Sequence, residues 1–290
     1  MLTRGSRTCH QLGACVFFHA HPDDEALLTG GTMALLAAEG HRVVLVLATA
    51  GERGLSADAN GGSGLAALRR REAAAAAGAL GCARLVVLGY GDSGWPPGPT
   101  GAAAGAFAGA DVERAARRLA AVLRQERARL LTTYDPAGGY GHPDHVQVHR
   151  VGARAAELAR TPVVLQATFD RARLVRILRL LAPLRRFAPA ADPAVFRHAY
   201  TPPHLITHRV AVHAHLDAKR RGLAAHASQT TGGDAVRTLA FLLRLPRPLF
   251  RRALGVEYFV QPGVDPGRGL RHPLEAAPGG RPRGGGRGTQ

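Results

Sequence analysis

Lysine is almost missing from this chain: Lys219 is the only one among 290 residues, so 37 of the 38 basic side chains are arginine. The net charge of +17 would ordinarily point to nucleic acid or an anionic surface. An arginine excess set among abundant Ala, Gly and Pro fits a coding bias at least as well, and aromatic residues make up only 5%. No aromatic side chains are interleaved with the arginines, as single-strand binding requires, so nucleic acid is not the expected partner. The three cysteines, Cys9, Cys15 and Cys82, form no CxxC pair. That spacing excludes a disulfide framework and a thiolate zinc site, and it suits a reducing compartment. Long apolar runs are absent too. None reaches the roughly 18 residues of a membrane span, and Gln11 and Gly13 interrupt the first apolar stretch before a signal-peptide core can form. The expected location is the cytoplasm, and the oligomeric state is left open.

What is present is enough apolar residue, 46%, for a substantial core. Short β-type runs alternate with helical stretches, which predicts βαβ units and an α/β fold with a predominantly parallel sheet flanked by helices. The strands are expected at Cys15–Phe18, Arg42–Thr49, Arg84–Leu88, Arg129–Tyr134 and Pro162–Thr168. Helices are expected at Ala26–Glu39, Leu65–Leu80, Asp111–Glu126 and His145–Ala159. In the third of these helices Val112, Ala115, Ala116, Leu119, Val122 and Leu123 recur at helical spacing, which leaves Arg114, Arg117, Arg118 and Arg124 to solvent. Beyond Thr168 come a basic amphipathic stretch at Arg171–Phe187, a Pro-rich connection, a strand at His208–Val212 and a helix at Ala214–Ala227. The segment Leu239–Val260 closes the folded part, so the domain is expected to run over residues 14–261. Residues 262–290, dominated by Gly, Pro and Arg, are expected to form a disordered tail.

Two of the expected strands end in unusual sequences. The first runs directly into His21-Pro22-Asp23-Asp24-Glu25, and the fourth is followed by His142-Pro143-Asp144-His145. Histidines and carboxylates at the carboxyl ends of strands stand where open α/β sheets keep their chemistry. In each motif the proline fixes a turn that brings the first and fourth side chains together and directs the intervening Asp elsewhere. His21, Asp24 and His145 thereby supply the three-ligand His and carboxylate set of a catalytic zinc, with a fourth position open. Asp23, close to the ion without ligating it, is suited to take a proton from an acidified water and pass it to a leaving amine. His142 is suited to stabilise an oxyanion, and Asp144 to hold an imidazole in its tautomer. The same ligand set is also the facial triad of Fe(II) oxygenases, but no jelly-roll strand pattern accompanies it, so Zn²⁺ is favoured over Fe²⁺.

These motifs resemble those of the LmbE-like, or PIG-L, family of zinc-dependent N-acetylglucosaminyl deacetylases. Further stretches carry the resemblance: Ala48-Thr49-Ala50-Gly51-Glu52, Arg69-Arg70-Arg71-Glu72 with Leu80-Gly81, Leu88 to Gly94, and Lys219 with His226-Ala227-Ser228-Gln229. It covers Ala14 to about Gln261. The resemblance implies a single Rossmann-like domain that hydrolyses the acetamide of a glucosamine-type sugar conjugate, a small-molecule partner. It implies Zn²⁺ on His21, Asp24 and His145, with Asp23 as general base. It also implies oxyanion stabilisation by His142 and Tyr140, an orienting role for Asp144, and substrate contacts from Arg69, Asp92 and Glu52. Deacetylation of N-acetylglucosaminyl-inositol and cleavage of mycothiol conjugates are the family activities closest to hand. Two other readings stand beside it. One is a non-catalytic basic protein binding an anionic polymer or membrane surface; the other is a phosphoesterase, which commonly needs a two-metal clamp.

Overall fold

A computed structural model of the chain describes residues 13–53, 63–94, 105–181, 199–230 and 233–276. Among the described residues seven strands form one sheet: β1 (Cys15–His19), β2 (Val43–Thr49), β3 (Arg84–Tyr90), β4 (Leu130–Tyr134), β5 (Val163–Thr168), β6 (His208–Ala211) and β7 (Val256–Val260). Their order is β3-β2-β1-β4-β5-β7-β6. The first five strands are parallel to one another, whereas β7 runs antiparallel between β5 and β6. The expected α/β class is therefore observed, and all five leading strands lie within two residues of their expected bounds.

Strand alternation builds the core on both faces of the sheet. Val16, Phe18, Val44, Val46 and Leu131 point to one side, beneath α4 (Val112–Gln125) and α5 (Pro143–Ala159). Cys15, Phe17, Leu45 and Leu47 point to the other, against α2 (Gly30–Ala38) and α3 (Ser63–Ala79). Strands buried on both faces explain the near-continuous apolar runs in the sequence. On α4 the four arginines are exposed while Ala115, Ala116, Leu119, Val122 and Leu123 are buried. Gly152 on α5 lets that helix meet β4 closely, since a Cβ there would stand 2.2 Å from the Thr133 methyl carbon.

Two expectations need correction, and a third is met as far as the described residues reach. The helix expected over Ala26–Glu39 is two, α1 (Asp24–Leu28) and α2, because Thr29 leaves the helical region at φ −134°. Its hydroxyl instead meets the Glu25 carbonyl and the buried His19 ring. The amphipathic stretch is described as α6 (Arg171–Leu181), and its remainder to Phe187 lies outside the described residues. Finally, the chain does not leave the fold at Pro262. Leu270 is buried and exchanges backbone hydrogen bonds with Thr207 and Arg209, and Leu274 packs on the core, so residues 262–276 are part of the fold. The rest of the expected tail, 277–290, lies outside the described residues. The remaining helices, α7 (Leu216–Ala225), α8 (Gly233–Arg244) and α9 (Arg247–Leu254), enclose a smaller cluster around Leu223, Phe250 and Leu254 together with α1. Among the described residues no helix is long and apolar enough to cross a membrane.

Candidate metal centre

The strand order reverses between β1 and β4, and such a switch point opens a crevice at the strands' carboxyl ends. Each motif follows one of these two neighbouring strands, so sequence segments more than a hundred residues apart meet there. Asp24 Oδ2 lies 3.3 Å from His21 Nδ1 and 3.3 Å from His145 Nε2. Four ligands at about 2.05 Å in a tetrahedron stand roughly 3.3 Å apart, so the two edges that meet at Asp24 match those of a zinc site. Among the described residues His145 Nε2 is buried without a hydrogen-bond partner, which leaves it available to an ion. The donor set of two imidazoles and one carboxylate, all buried or partly buried, thus fits a divalent cation.

The opposite nitrogen of His21 is held by carboxylates. Nε2 lies 3.0 Å from Asp144 Oδ2 and 3.4 Å from Asp92 Oδ1. With Nε2 donating its proton to Asp144, Nδ1 is the basic nitrogen facing Asp24. Burial opposes a charge on His21, but the hydrogen bonds to Asp144, Asp24 and Asp92 push its pKa well above the usual value, so an ion bound at Nδ1 would displace a proton there. Asp144 is itself fixed by the Ser93 backbone N–H at 2.9 Å and the Ser93 hydroxyl at 2.5 Å. Asp92 accepts the backbone N–H groups of Gly94 and Arg53. Burial works against its charge, yet His21 and these two N–H donors hold its carboxyl below the ordinary range.

Asp23 sits apart from the ligand triangle. Its side chain is 22% exposed, and Arg69 Nη2 donates to its Oδ2 at 3.1 Å. Burial first, and then the neighbouring Asp24 charge, push its pKa up to about 6 despite Arg69. Arg69 also donates to the carbonyls of Pro22 and Gly51. Its guanidinium occupies the space that a side chain at Gly51 would fill, and Gly51 adopts φ +68°. Arg69 therefore grips the loop carrying Asp23, and it is the adjacent Arg70 that lines a cavity of about 320 Å³ together with Glu52, Tyr90 and Gly91. Glu52 Oε1 accepts the Asp92 N–H, and its Oε2 is buried with no partner among the described residues.

His142 caps α5, and its Nδ1 accepts the Asp144 N–H. Burial and the nearby His21 and His145 rings push its pKa down to about 3, so it is a neutral imidazole. Its ring stacks on His145 with centroids 4.9 Å apart. Tyr140 stands edge-on to both, 6.1 Å from His142 and 5.2 Å from His145. Burial first, then Asp24, raises the phenol above its ordinary range, so it stays protonated. The ten residues singled out in the sequence are thus linked by contacts into one cluster at these strand ends, and of them Glu52 lines the cavity. Ser93, His19 and His226 support the site without a role foreseen for them, although Ser93 and His226 stand in stretches that carry the family resemblance.

The class defined so far is an α/β protein with a buried His and Asp ligand set at its switch point. The family model for PIG-L, described as GlcNAc-PI de-N-acetylase, matches residues 16–156. A 1D-myo-inositol 2-acetamido-2-deoxy-alpha-D-glucopyranoside deacetylase of Thermobifida fusca is 38% identical over 87% of this chain and 93% of its own length. The chain belongs to the PIG-L family. Among solved structures, N,N'-diacetylchitobiose deacetylase from Pyrococcus horikoshii superposes with a TM-score of 0.55 at 22% identity, covering 88% of this chain and 85% of that one. A 4-carboxy-2-hydroxymuconate hydratase, GalB from Pseudomonas putida, shares the fold equally well, with a TM-score of 0.55 at 19% identity over 87% of this chain and 97% of its own. Fold likeness alone therefore does not select the reaction, and the site must do so.

Proposed function

We infer that this chain is a metal-dependent hydrolase that removes the N-acetyl group from an N-acetylglucosamine-type sugar conjugate, with Zn²⁺ on His21, Asp24 and His145. The observation that carries this reading is the three-atom triangle closed by Asp24, with the carboxylate of Asp23 beside it rather than in it. A bound Zn²⁺ would supply Lewis acidity, polarising the acetamide carbonyl and acidifying a water. The chain's own groups divide the remaining work. Asp23, with a pKa near 6, is ionised at neutral pH yet basic enough to accept the proton of the attacking water. The same carboxyl then delivers that proton to the departing amine. Neutral His142 and the protonated Tyr140 hydroxyl are donors available to the oxygen that gains charge in the tetrahedral intermediate. Asp144 keeps His21 in the ligating tautomer. Arg69, Asp92 and Glu52 are the substrate-contact candidates of the sequence. Of these, Glu52 opens on the cavity, where Arg70 joins it as a donor for sugar hydroxyls.

The name of the Thermobifida relative makes N-acetylglucosaminyl-inositol the first substrate to test, and the free buried thiol of Cys15 suits a reducing cytoplasm. Metal-stripped protein should release no free amine from it, and stoichiometric Zn²⁺ should restore release, with Fe²⁺ run in parallel. No amine from this compound or from a panel of N-acetylglucosamine conjugates, at full Zn²⁺ occupancy, would overturn the reading.

A further inference from the structure

Glu25 is fully buried beside the site but takes no part in the ligand triangle. Its Oε2 accepts the backbone N–H of Asp23 at 2.9 Å, and its Oε1 lies 2.6 Å from Nε2 of His226, another fully buried side chain 201 residues further on. The peptide gripped in this way is unusual. Asp23 has φ 105° and ψ −34°, a region that residues with a Cβ avoid. Something must hold it there, and the Glu25 carboxylate is the hydrogen-bond partner of its N–H.

His226 is in turn tied to the element that carries Arg69. It follows α7, and the next turn donates both the backbone N–H and the hydroxyl of Ser228 to Glu72 at 2.7 Å. Glu72 lies three residues after Arg69 on α3, so one helix fixes both the carboxylate end of Asp23, through Arg69, and the loop that presents His226. Asp23 is thus held at its backbone from one side and at its side chain from the other.

We propose that Glu25 and His226 form a positioning pair that holds the strained backbone of Asp23 so that its carboxylate stays beside the metal ligands without joining them. The pair touches neither substrate nor ion; it acts through Asp23, and the proposal rests on the reading of Asp23 as the proton carrier. Deprived of its anchor, the Asp23 peptide relaxes toward ordinary φ and its carboxylate loses its aim. A misplacement of about 1 Å can cost on the order of a hundredfold in rate. Binding of substrate and ion, which uses other groups, is spared.

The test is steady-state kinetics on N-acetylglucosaminyl-inositol with the zinc-loaded protein, alongside metal content and thermal melting of each variant. Glu25→Ala and His226→Ala should each lower kcat about ten- to a hundredfold, with KM within about twofold and zinc still stoichiometric. Glu25→Gln, whose amide oxygen can still accept the Asp23 N–H, should keep kcat within about threefold of wild type. The Glu25→Ala/His226→Ala double variant should be no slower than Glu25→Ala alone, because both act through one contact. Should the alanine variants not fold, His226→Gln, which can still donate to Glu25, is compared with His226→Phe, which cannot: retention in the first with loss in the second supports the pair, and equal kcat overturns it. Wild-type kcat in folded alanine variants, an additive double variant, or losses that track lost zinc would also overturn it. Asp23→Asn separates the two levels: wild-type turnover there removes the base assignment itself, whereas an inactive Asp23→Asn beside fully active Glu25 and His226 variants removes only the positioning pair.

Discussion

Replacing Lys219 by Met should destabilise the fold far more than an ordinary lysine substitution. The ammonium is 1% exposed and lies 2.6 Å from Glu257 Oε1, on a carboxylate that is 2% exposed. Glu257 also accepts the N–H groups of Gly31 and Thr32 at 2.7 Å each, which ties β7 to the first turn of α2. Removing one partner of a buried ion pair leaves the other charge uncompensated, at a cost of about 3–5 kcal/mol. Here the two amide donors and the positive end of the α2 dipole return roughly 1 kcal/mol to the stranded carboxylate. The expected loss is therefore about 2–4 kcal/mol. Glu257→Gln alone strands the ammonium instead and should cost about 3–5 kcal/mol. The double variant Lys219→Met/Glu257→Gln leaves no charge unpaired, and the one N–H of Gly31 or Thr32 that faces the new amide NH2 is stranded equally in Glu257→Gln alone, so it should be more stable than the sum of the singles by about 2 kcal/mol or more. Urea denaturation followed by far-UV circular dichroism, at constant slope, measures all four corners of the cycle. A Lys219→Met loss below about 1 kcal/mol, or a cycle that is additive, would refute the reasoning.

Acid should remove stability through His208. The ring is buried, and burial, opposed by Glu275, pushes its pKa down to about 4. An unfolded histidine titrates near 6.5, so the unfolded chain binds more protons between these values; the contribution is complete above about pH 6.5 and is lost as pH falls toward 4, by at most about 3 kcal/mol. His208→Gln should flatten the fall in urea midpoint between about pH 7 and pH 5, and an unchanged slope would count against this account. Asp144→Ala should weaken zinc affinity about ten- to a hundredfold by freeing the His21 ring, measured by chelator competition; unchanged affinity would detach Asp144 from His21. Cys15 and Cys82, whose thiols burial pushes up to about 12, should resist alkylation in the native protein and react after denaturation, read by site-resolved mass spectrometry.

Local signals in the sequence carried the parallel half of the fold. Apolar runs buried on both sheet faces and the periodic arginine-lined α4 are legible because each depends on neighbours within one element. The break at Thr29 is not, since its cause is a hydroxyl bonded to a ring from β1. Nor is the place of β7, which inserts between β5 and β6 after a long excursion of chain. Gly, Pro and Arg content concealed the order of residues 262–276, where Leu270 and Leu274 are enough to hold the segment on the core. At the site, the spacing within each HPD motif foretold that His21 would meet Asp24. It could not show that Ser93 locks Asp144, that Arg69 grips the Asp23 loop, or that Glu25 faces His226. Those contacts join segments that only the folded sheet brings together.

The central claim is that two adjacent aspartates have separate duties, Asp24 holding the ion and Asp23 moving the proton. Asp23→Asn and Asp24→Asn, each assayed for amine release and for bound zinc on the same sample, test it most directly. Asp23→Asn should keep its zinc while losing at least about a hundredfold in turnover, and Asp24→Asn should lose the zinc and the activity together. Zinc-loaded Asp23→Asn turning over like wild type, or Asp24→Asn holding zinc as tightly as wild type, would contradict the account.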